Sequence, residues 1–302
     1  MTSQSVTVGG IEVGLSHTGK VFYPGDGITK GDLIGHYQRV AGRMLPYLKD
    51  RPVFMARYPD GITGPRIIQK NVPGYFPGWI TRVTVQKKEG TLQQVICDKP
   101  ATLVYLANQA CIETHVFLSR ASRPDCPDQL VVDLDPPRAT GFDAARRCAL
   151  WLRDLLAGEL GATSFVRTTG GKGLHVHVPL DRQAGFDAVR EFAADLARTL
   201  AGQHPELTTE QRKESRGDRV YLDVMRNAYA QSVIAPYAAR ARPGAPVATP
   251  LHWAEVEDKK LDPAAFTIRS IARRLDSVDD PWDGLTGRRY GLDTLRRRLD
   301  KL

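Results

Sequence analysis

Two aspartates in the segment Val131-Val132-Asp133-Leu134-Asp135-Pro136-Pro137 have the type and spacing for chemistry. Side chains alternate along a strand, so Asp133 and Asp135 share one face while Val132 and Leu134 take the other. Neighbouring carboxylates repel each other unless a cation sits between them, and hard oxygen ligands suit Mg²⁺ or Mn²⁺. The structural alternative is a solvated strand end with turn-forming aspartate before proline. A third carboxylate follows in Val220-Tyr221-Leu222-Asp223-Val224, where Val220, Leu222 and Val224 occupy one face and Asp223 the other. Three strand-borne carboxylates meet the needs of two-metal phosphoryl transfer. Spacing alone does not bring Asp223 to the pair.

The run Thr168-Thr169-Gly170-Gly171-Lys172-Gly173 has the composition of a phosphate cradle. It is neither GxxxxGK[ST] nor GxGxxG, and a strand follows it, which argues against P-loop and dinucleotide-binding readings. Small glycines let backbone N–H groups approach an anion, and Thr169 adds a hydroxyl. An ordinary hairpin turn with a surface Lys172 is the alternative. His175 and His177 project to one face of the following strand, and His177, further along, reads as structural. Downstream lie Arg226 and the Pro/Gly-rich segment 235–244 with Arg240; a guanidinium there could fork two phosphate oxygens or simply face solvent.

The elements that must hold these residues follow from periodicity. Residues 5–14 read as a short strand pair around Gly9-Gly10, and Thr29 as the N-cap of a helix from Lys30 to Leu48. Residues 50–100 are rich in Pro, Gly and β-branched runs and read as a small β-rich lobe. Residues 101–120 read as one helix. VVDLDPP is a strand stopped by prolines, and residues 141–160 form an amphipathic helix with Gly161 as its C-cap. FVRTT and LHVHVPL read as strands around the glycine turn, and residues 185–202 as a second helix opening on the same Gly-Phe-Asp-Ala. RVYLDVM is another strand, and the last thirty residues read as helical and Arg-rich. The expected fold is α/β, also describable as α+β. It has a mostly antiparallel sheet bearing the aspartates, flanked by helices, and a smaller N-terminal lobe.

The chain has 302 residues, 42% of them hydrophobic and 25% charged, enough for one large domain or two packed lobes and unlike a disordered chain. No apolar run approaches the roughly 18 residues that span a bilayer. The start, MTSQSVTVGG, has no signal-peptide features, so a soluble cytoplasmic protein is expected. A net charge of +8 favours a polyanionic partner. Cys97, Cys111, Cys126 and Cys148 lack zinc-site spacing and read as reduced, buried small hydrophobes.

Taken in order, VVDLDPP, TTGGKGLHVHVPL, YLDVMRN and APYAARARPGAPVATPLHW resemble the polymerase domain of bacterial ligase D, in the archaeo-eukaryotic primase superfamily. HTGKVFYPGDGITK and LVYLANQACIETHVFLSR also fit that pattern, so the resemblance covers nearly the whole chain. It implies that Asp133, Asp135 and Asp223 are ligands of two divalent ions, manganese or magnesium. Thr169, Lys172, His175 and Arg240 would hold the triphosphate of the incoming nucleotide, with Arg226 nearby and His115 by its sugar. Lys20 and Lys30 match a pair that grips the 5′ phosphate across a DNA gap, beside His17 where the family has Asn. The implied activity adds ribo- or deoxyribonucleotides to a 3′ hydroxyl, filling gaps in double-strand break repair alongside Ku and a ligase at the nucleoid. The implied division is an N-terminal lobe of residues 1–99 for DNA and its 5′ phosphate, and a catalytic lobe of residues 100–302.

Besides His17, two departures matter. Thr169 stands for the family's Ser and keeps the hydroxyl. Ile67-Ile68 stands where an aromatic pair stacks on template bases, and Tyr75, Phe76 and Trp79, expected in the core, are the aromatic residues nearby. A zinc site like that of replicative primases is missing, which favours the repair branch. No ligase or phosphoesterase domain fits beside this one in 302 residues. A dedicated primase, a non-catalytic nucleic-acid-binding scaffold and a metal-dependent nuclease are the alternatives; the intact aspartate trio speaks against the scaffold, and a nuclease would not require the triphosphate holders.

Overall fold

A computed structural model of the chain describes residues 4–137 and 141–302; residues 1–3, the start of the segment read for a leader, and residues 138–140 lie outside it. The chain forms two compact units. The first takes in residues 1–117, 232–249 and 264–280, the second residues 118–231, 250–263 and 281–302. The division expected at residues 99 and 100 therefore falls inside the first unit, because the segment after it folds onto that unit's own sheet.

In the first unit, β1 (Gln4–Val8) and β2 (Ile11–Leu15) pair across the Gly9-Gly10 turn, both glycines having positive φ. Short strands β3 (Val21–Tyr23) and β4 (Ile28–Thr29) lead into α1 (Lys30–Leu48). Thr29 caps that helix, as the sequence predicts, and Asp32 returns the bond by accepting from the Thr29 N–H. The main sheet contains β5 (Pro52–Arg57), β6 (Ile67–Gln69), β7 (Arg82–Gln86) and β8 (Thr91–Ile96). After α2 (Pro100–Asn108) it gains β9 (Cys111–Phe117), and a return strand at Ser232–Ile234 completes it.

The single helix expected over residues 101–120 is thus a helix and a strand. Ala110 takes a left-handed conformation (φ 61°) and its carbonyl accepts from Tyr58 N–H at 2.8 Å, which ends α2. The apolar residues beyond it satisfy helical spacing, but the segment carries β-branched Ile112, Thr114 and Val116, and pairing with β5 decides the outcome.

The second unit opens with β10 (Ser119–Arg120), β11 (Arg123–Pro127) and β12 (Gln129–Asp135). Helix α3 (Gly141–Asp154) ends in a π-turn, with Gly161 just beyond it at φ 60°. Strands β13 (Phe165–Thr168) and β14 (Leu174–Pro179) flank the glycine loop, then α4 (Phe186–Gln203), β15 (Leu207–Thr208) and β16 (Val220–Asp223) follow. With the return strand of the first unit as β17 and Pro250–Leu251 as β18, the sheet order is β15-β16-β12-β14-β13-β18, antiparallel except for β15 against β16. Leu130, Val132, Leu134, Val176, Val178 and Leu222 are almost completely buried on one face of that sheet, where α3 and α4 pack against β12.

Of the last thirty residues, 273–277 complete the helix Ile271–Ser277 and Leu292–Leu299 is helical, while 278–291 is mostly turn, anchored by Trp282, whose indole N–H donates to Val166 O at 2.9 Å. Three cysteines are buried as expected and Cys126 is half-buried; all four are free. Tyr75 departs from expectation: Phe76 is buried, but Tyr75 is 62% exposed. Among the described residues, no helix is long and apolar enough to cross a membrane.

Candidate active site

The register of the second unit's sheet builds one row of polar side chains. Asp133 on β12 is the cross-strand partner of Asp223 on β16 and of His175 on β14, and His175 in turn partners Arg167 on β13. Asp135 faces Tyr221 one step along. Because alternation is shared across a sheet, all these side chains emerge on the face opposite the apolar layer. One carboxylate oxygen from each of Asp133, Asp135 and Asp223 lies within 4.8 Å of the others. Burial, then the Asp133 and Asp223 charges, raise Asp135 to about 6 against the pull of Arg216 and Arg226. Burial and Asp133 likewise raise Asp223, opposed by its bond from the Met225 N–H. Three hard oxygen donors held close at an energetic cost fit a divalent cation. When bound, such an ion supplies charge neutralisation and polarisation of a phosphoryl oxygen.

His175 is buried, and its hydrogen bonds define its tautomer. An arginine can only donate, so the Arg167 Nη2–H donates to His175 Nδ1 at 2.7 Å and leaves Nε2–H to donate to Asp133 Oδ2 at 3.2 Å. The same guanidinium donates from Nε to His177 Nε2 at 3.2 Å, and His177 Nδ1–H donates to Gln129 Oε1 at 2.9 Å. Arg167 is fully buried and was not singled out from the sequence. Its signal was available: Arg167, His175 and His177 are charged or polar residues inside otherwise apolar strands.

Beside this row the glycine loop closes on itself, with Thr169 N–H and hydroxyl both donating to Gly173 O at 3.1 and 3.2 Å. Gly170 needs its positive φ of 64°, and a Cβ on Gly173 would sit 2.3 Å from Leu134 O. The loop therefore lies against the strand that carries the aspartates, with Lys172 exposed. Arg226 is exposed and close enough to oppose the upward shifts of Asp135 and Asp223. Fully buried Asn227 pins the turn after Asp223: its amide accepts from Val131 N–H at 2.9 Å and donates to Val131 O at 2.7 Å, continuing the β12 ladder where β16 stops.

The first unit holds a second polar cluster. On β9, Glu113 and His115 share a face, and His115 stacks on its cross-strand partner Phe54 with ring centroids 4.7 Å apart and planes 8° apart. Glu113 Oε1 accepts from Arg240 Nε at 2.9 Å and from Ala241 N–H at 3.2 Å. Burial raises Glu113, but His115 and Arg240 outweigh it and hold the carboxyl well below the usual range. The Arg240 segment is fixed by Tyr23 OH donating to Arg240 O at 3.0 Å and by the Arg240 N–H bond to Pro246 O. Glu113 was also missed from the sequence, although two-residue spacing places it beside His115.

Lys20 and Lys30 are backbone neighbours, since Lys30 N–H donates to Lys20 O at 2.8 Å at the start of α1. Lys30 is buried and its ammonium donates to Ser16 O at 2.6 Å; Lys20 is exposed and paired with Asp60 at 2.8 Å. Burial, then Lys20 and Arg57, lower Lys30 to about 8. His17 is exposed in a left-handed conformation (φ 52°) at the turn that presents Lys20.

Comparison with known proteins accords with this geometry. A family model described as the LigD primase-polymerase domain matches residues 29–282. A bifunctional non-homologous end joining protein LigD from Bacillus subtilis is 34% identical over 266 residues, covering 87% of this chain and 42% of the relative. A multifunctional LigD from Mycobacterium bovis is 33% identical over 278 residues, covering 88% and 36%. The chain thus spans about two fifths of the length of these curated relatives. The polymerase domain of Mycobacterium tuberculosis ligase D, solved in complex with DNA, superposes with a TM-score of 0.86 at 32% identity, covering 92% of this chain and 99% of that one. In motif order, in fold and in these matches alike, the chain belongs to the LigD primase-polymerase family of nucleotidyltransferases.

Proposed function

We propose that this chain extends a 3′ hydroxyl with ribo- or deoxyribonucleotides at gapped, 5′-phosphorylated DNA during non-homologous end joining or related repair. The carrying observation is the register that sets Asp223 opposite Asp133, gathering three carboxylates. Asp133, Asp135 and Asp223 would hold two divalent ions, Mn²⁺ or Mg²⁺, and His175, its ring nitrogens taken by Arg167 and Asp133, would serve the triphosphate by orienting Asp133. Lys172 and Arg226 supply further donors for the triphosphate, the Thr169 hydroxyl would turn from Gly173 O to join them, Arg240 adds a guanidinium, and His115 serves the sugar. His17, Lys20 and Lys30, with the α1 N-terminus, receive the 5′ phosphate. DNA and 5′-phosphate binding fall to residues 1–99 and nucleotidyl transfer to residues 100–302. Ku and a DNA ligase are the partners such a reaction calls for, in the cytoplasm at the nucleoid.

The test is primer extension on a gapped duplex bearing a downstream 5′ phosphate, with each sugar type and with Mn²⁺ or Mg²⁺. Template-matched extension lost in an Asp133→Ala/Asp135→Ala variant is expected. Absence of extension under either metal, with gap binding retained, would leave a binding module.

A further inference from the structure

We propose that Glu113 sets the tautomer of His115, so that the ring offers an acceptor nitrogen to a sugar hydroxyl of the nucleotide. The proposal rests on the nucleotide-binding role given to His115 above and adds Glu113 as a positioning residue.

Glu113 is 5% exposed, and its two oxygens have different neighbours. One accepts from Arg240 Nε at 2.9 Å and Ala241 N–H at 3.2 Å. The other lies 3.4 Å from His115 Nε2 and 3.5 Å from Arg66 Nη2. A carboxylate flanked by two arginines stays ionised and can only accept, so Nε2 must carry the hydrogen. Burial, with Arg240 and Arg66, lowers the pKa of His115 despite Glu113, so the ring is neutral and Nδ1 keeps its lone pair. Among the described residues no hydrogen bond to Nδ1 competes for that lone pair. Stacking on Phe54 fixes the plane of the ring and hence the direction of Nδ1.

An acceptor in this place selects a donor. Phosphate oxygens do not qualify. Base amino groups are donors, but they differ from base to base, and a templated polymerase must admit all four. A sugar hydroxyl is the donor that every nucleotide shares, and the number of hydroxyls separates ribose from deoxyribose.

Glu113→Gln tests the idea because an amide cannot serve both sides. Its oxygen is required by the two obligate donors, Arg240 Nε and Ala241 N–H, so its NH₂ faces His115 Nε2. The ring then moves its hydrogen to Nδ1, and the acceptor becomes a donor. Long-range ¹H–¹⁵N NMR should show Nε2–H for His115 in the wild type and Nδ1–H in the variant. In template-directed extension, kcat/KM for nucleotides bearing a 2′ or 3′ hydroxyl, relative to the analogue lacking it, should fall about tenfold, equivalent to about 1.4 kcal/mol or one hydrogen bond.

An Nδ1–H tautomer in the wild type would overturn the proposal, and that measurement does not depend on the variant folding. Unchanged ratios at both hydroxyls in a variant whose tautomer has switched would also overturn it. A wild type inactive with every nucleotide, yet showing the expected tautomers, would sink the polymerase function and sugar recognition while leaving the Glu113–His115 coupling standing.

Discussion

Asp133 and Asp223 stand directly opposite one another on adjacent antiparallel strands, with Asp135 one step along the same face. Their closeness is unfavourable without a cation. Asp223→Asn should therefore raise the melting temperature of the metal-free protein while shrinking the increase produced by Mn²⁺. Extension should fall by more than about a hundredfold, since even partners beyond the direct ligands of a metal are worth 10–100-fold. A variant that melts lower without metal and keeps the full Mn²⁺ shift would mean that Asp223 is structural.

Arg167 donates to His175, which donates to Asp133, and the same guanidinium donates to His177. In Arg167→Lys the charge remains, but one ammonium cannot bond His175 and His177 with the same geometry. Half-maximal extension should need roughly 10–100-fold more Mn²⁺. An unchanged metal titration would show that the bond chain does not orient Asp133.

Gly173 has no room for a methyl group, since its Cβ would meet the Leu134 carbonyl at 2.3 Å and a backbone atom cannot swing away. Gly173→Ala should cost about 1–3 kcal/mol in denaturant unfolding, the range for overpacking, and lower extension because Leu134 separates the two β12 aspartates. Wild-type values for both would show that the loop relaxes freely.

Lys30 has a folded pKa of about 8, below its ordinary 10.5, with burial as the first cause and Lys20 and Arg57 adding repulsion. Its ammonium is charged below pH 8, and the charge is lost as pH rises through that value. Between about 8 and 10.5 the unfolded chain binds more protons, so this group makes the fold more stable as pH rises. Phosphate binding runs the other way. Affinity for a 5′-phosphorylated gap should weaken from pH 7 to 9 more steeply than affinity for an unphosphorylated gap, and Lys30→Arg should flatten the difference. Parallel profiles would remove Lys30 from the phosphate site, and equal losses on both gaps in a Lys20→Ala/Lys30→Ala variant would leave only general backbone electrostatics.

Much of the site was legible in short stretches of chain. Period-two alternation put Asp133 with Asp135, His175 with His177, and Asp223 opposite its apolar neighbours, because a strand's side-chain direction is a local property. The Thr29 cap was legible for the same reason: a side chain and backbone groups three residues away meet within one turn. The helix expected over residues 101–120 failed where locality failed. Its apolar spacing suits a buried helix or a buried strand, and pairing between β9 and β5 selected the strand.

By itself, then, the sequence determined which residue types face the same way along each strand, which turn demands glycine, and which family the ordered motifs resemble. Only the tertiary structure decided that Asp223 lies across from Asp133, that buried Arg167 ties two histidines to that row, and that Glu113 joins His115 to Arg240. These are relations between strands and loops distant along the chain. Their register is set by closing the whole sheet over its apolar face, which no window of residues contains.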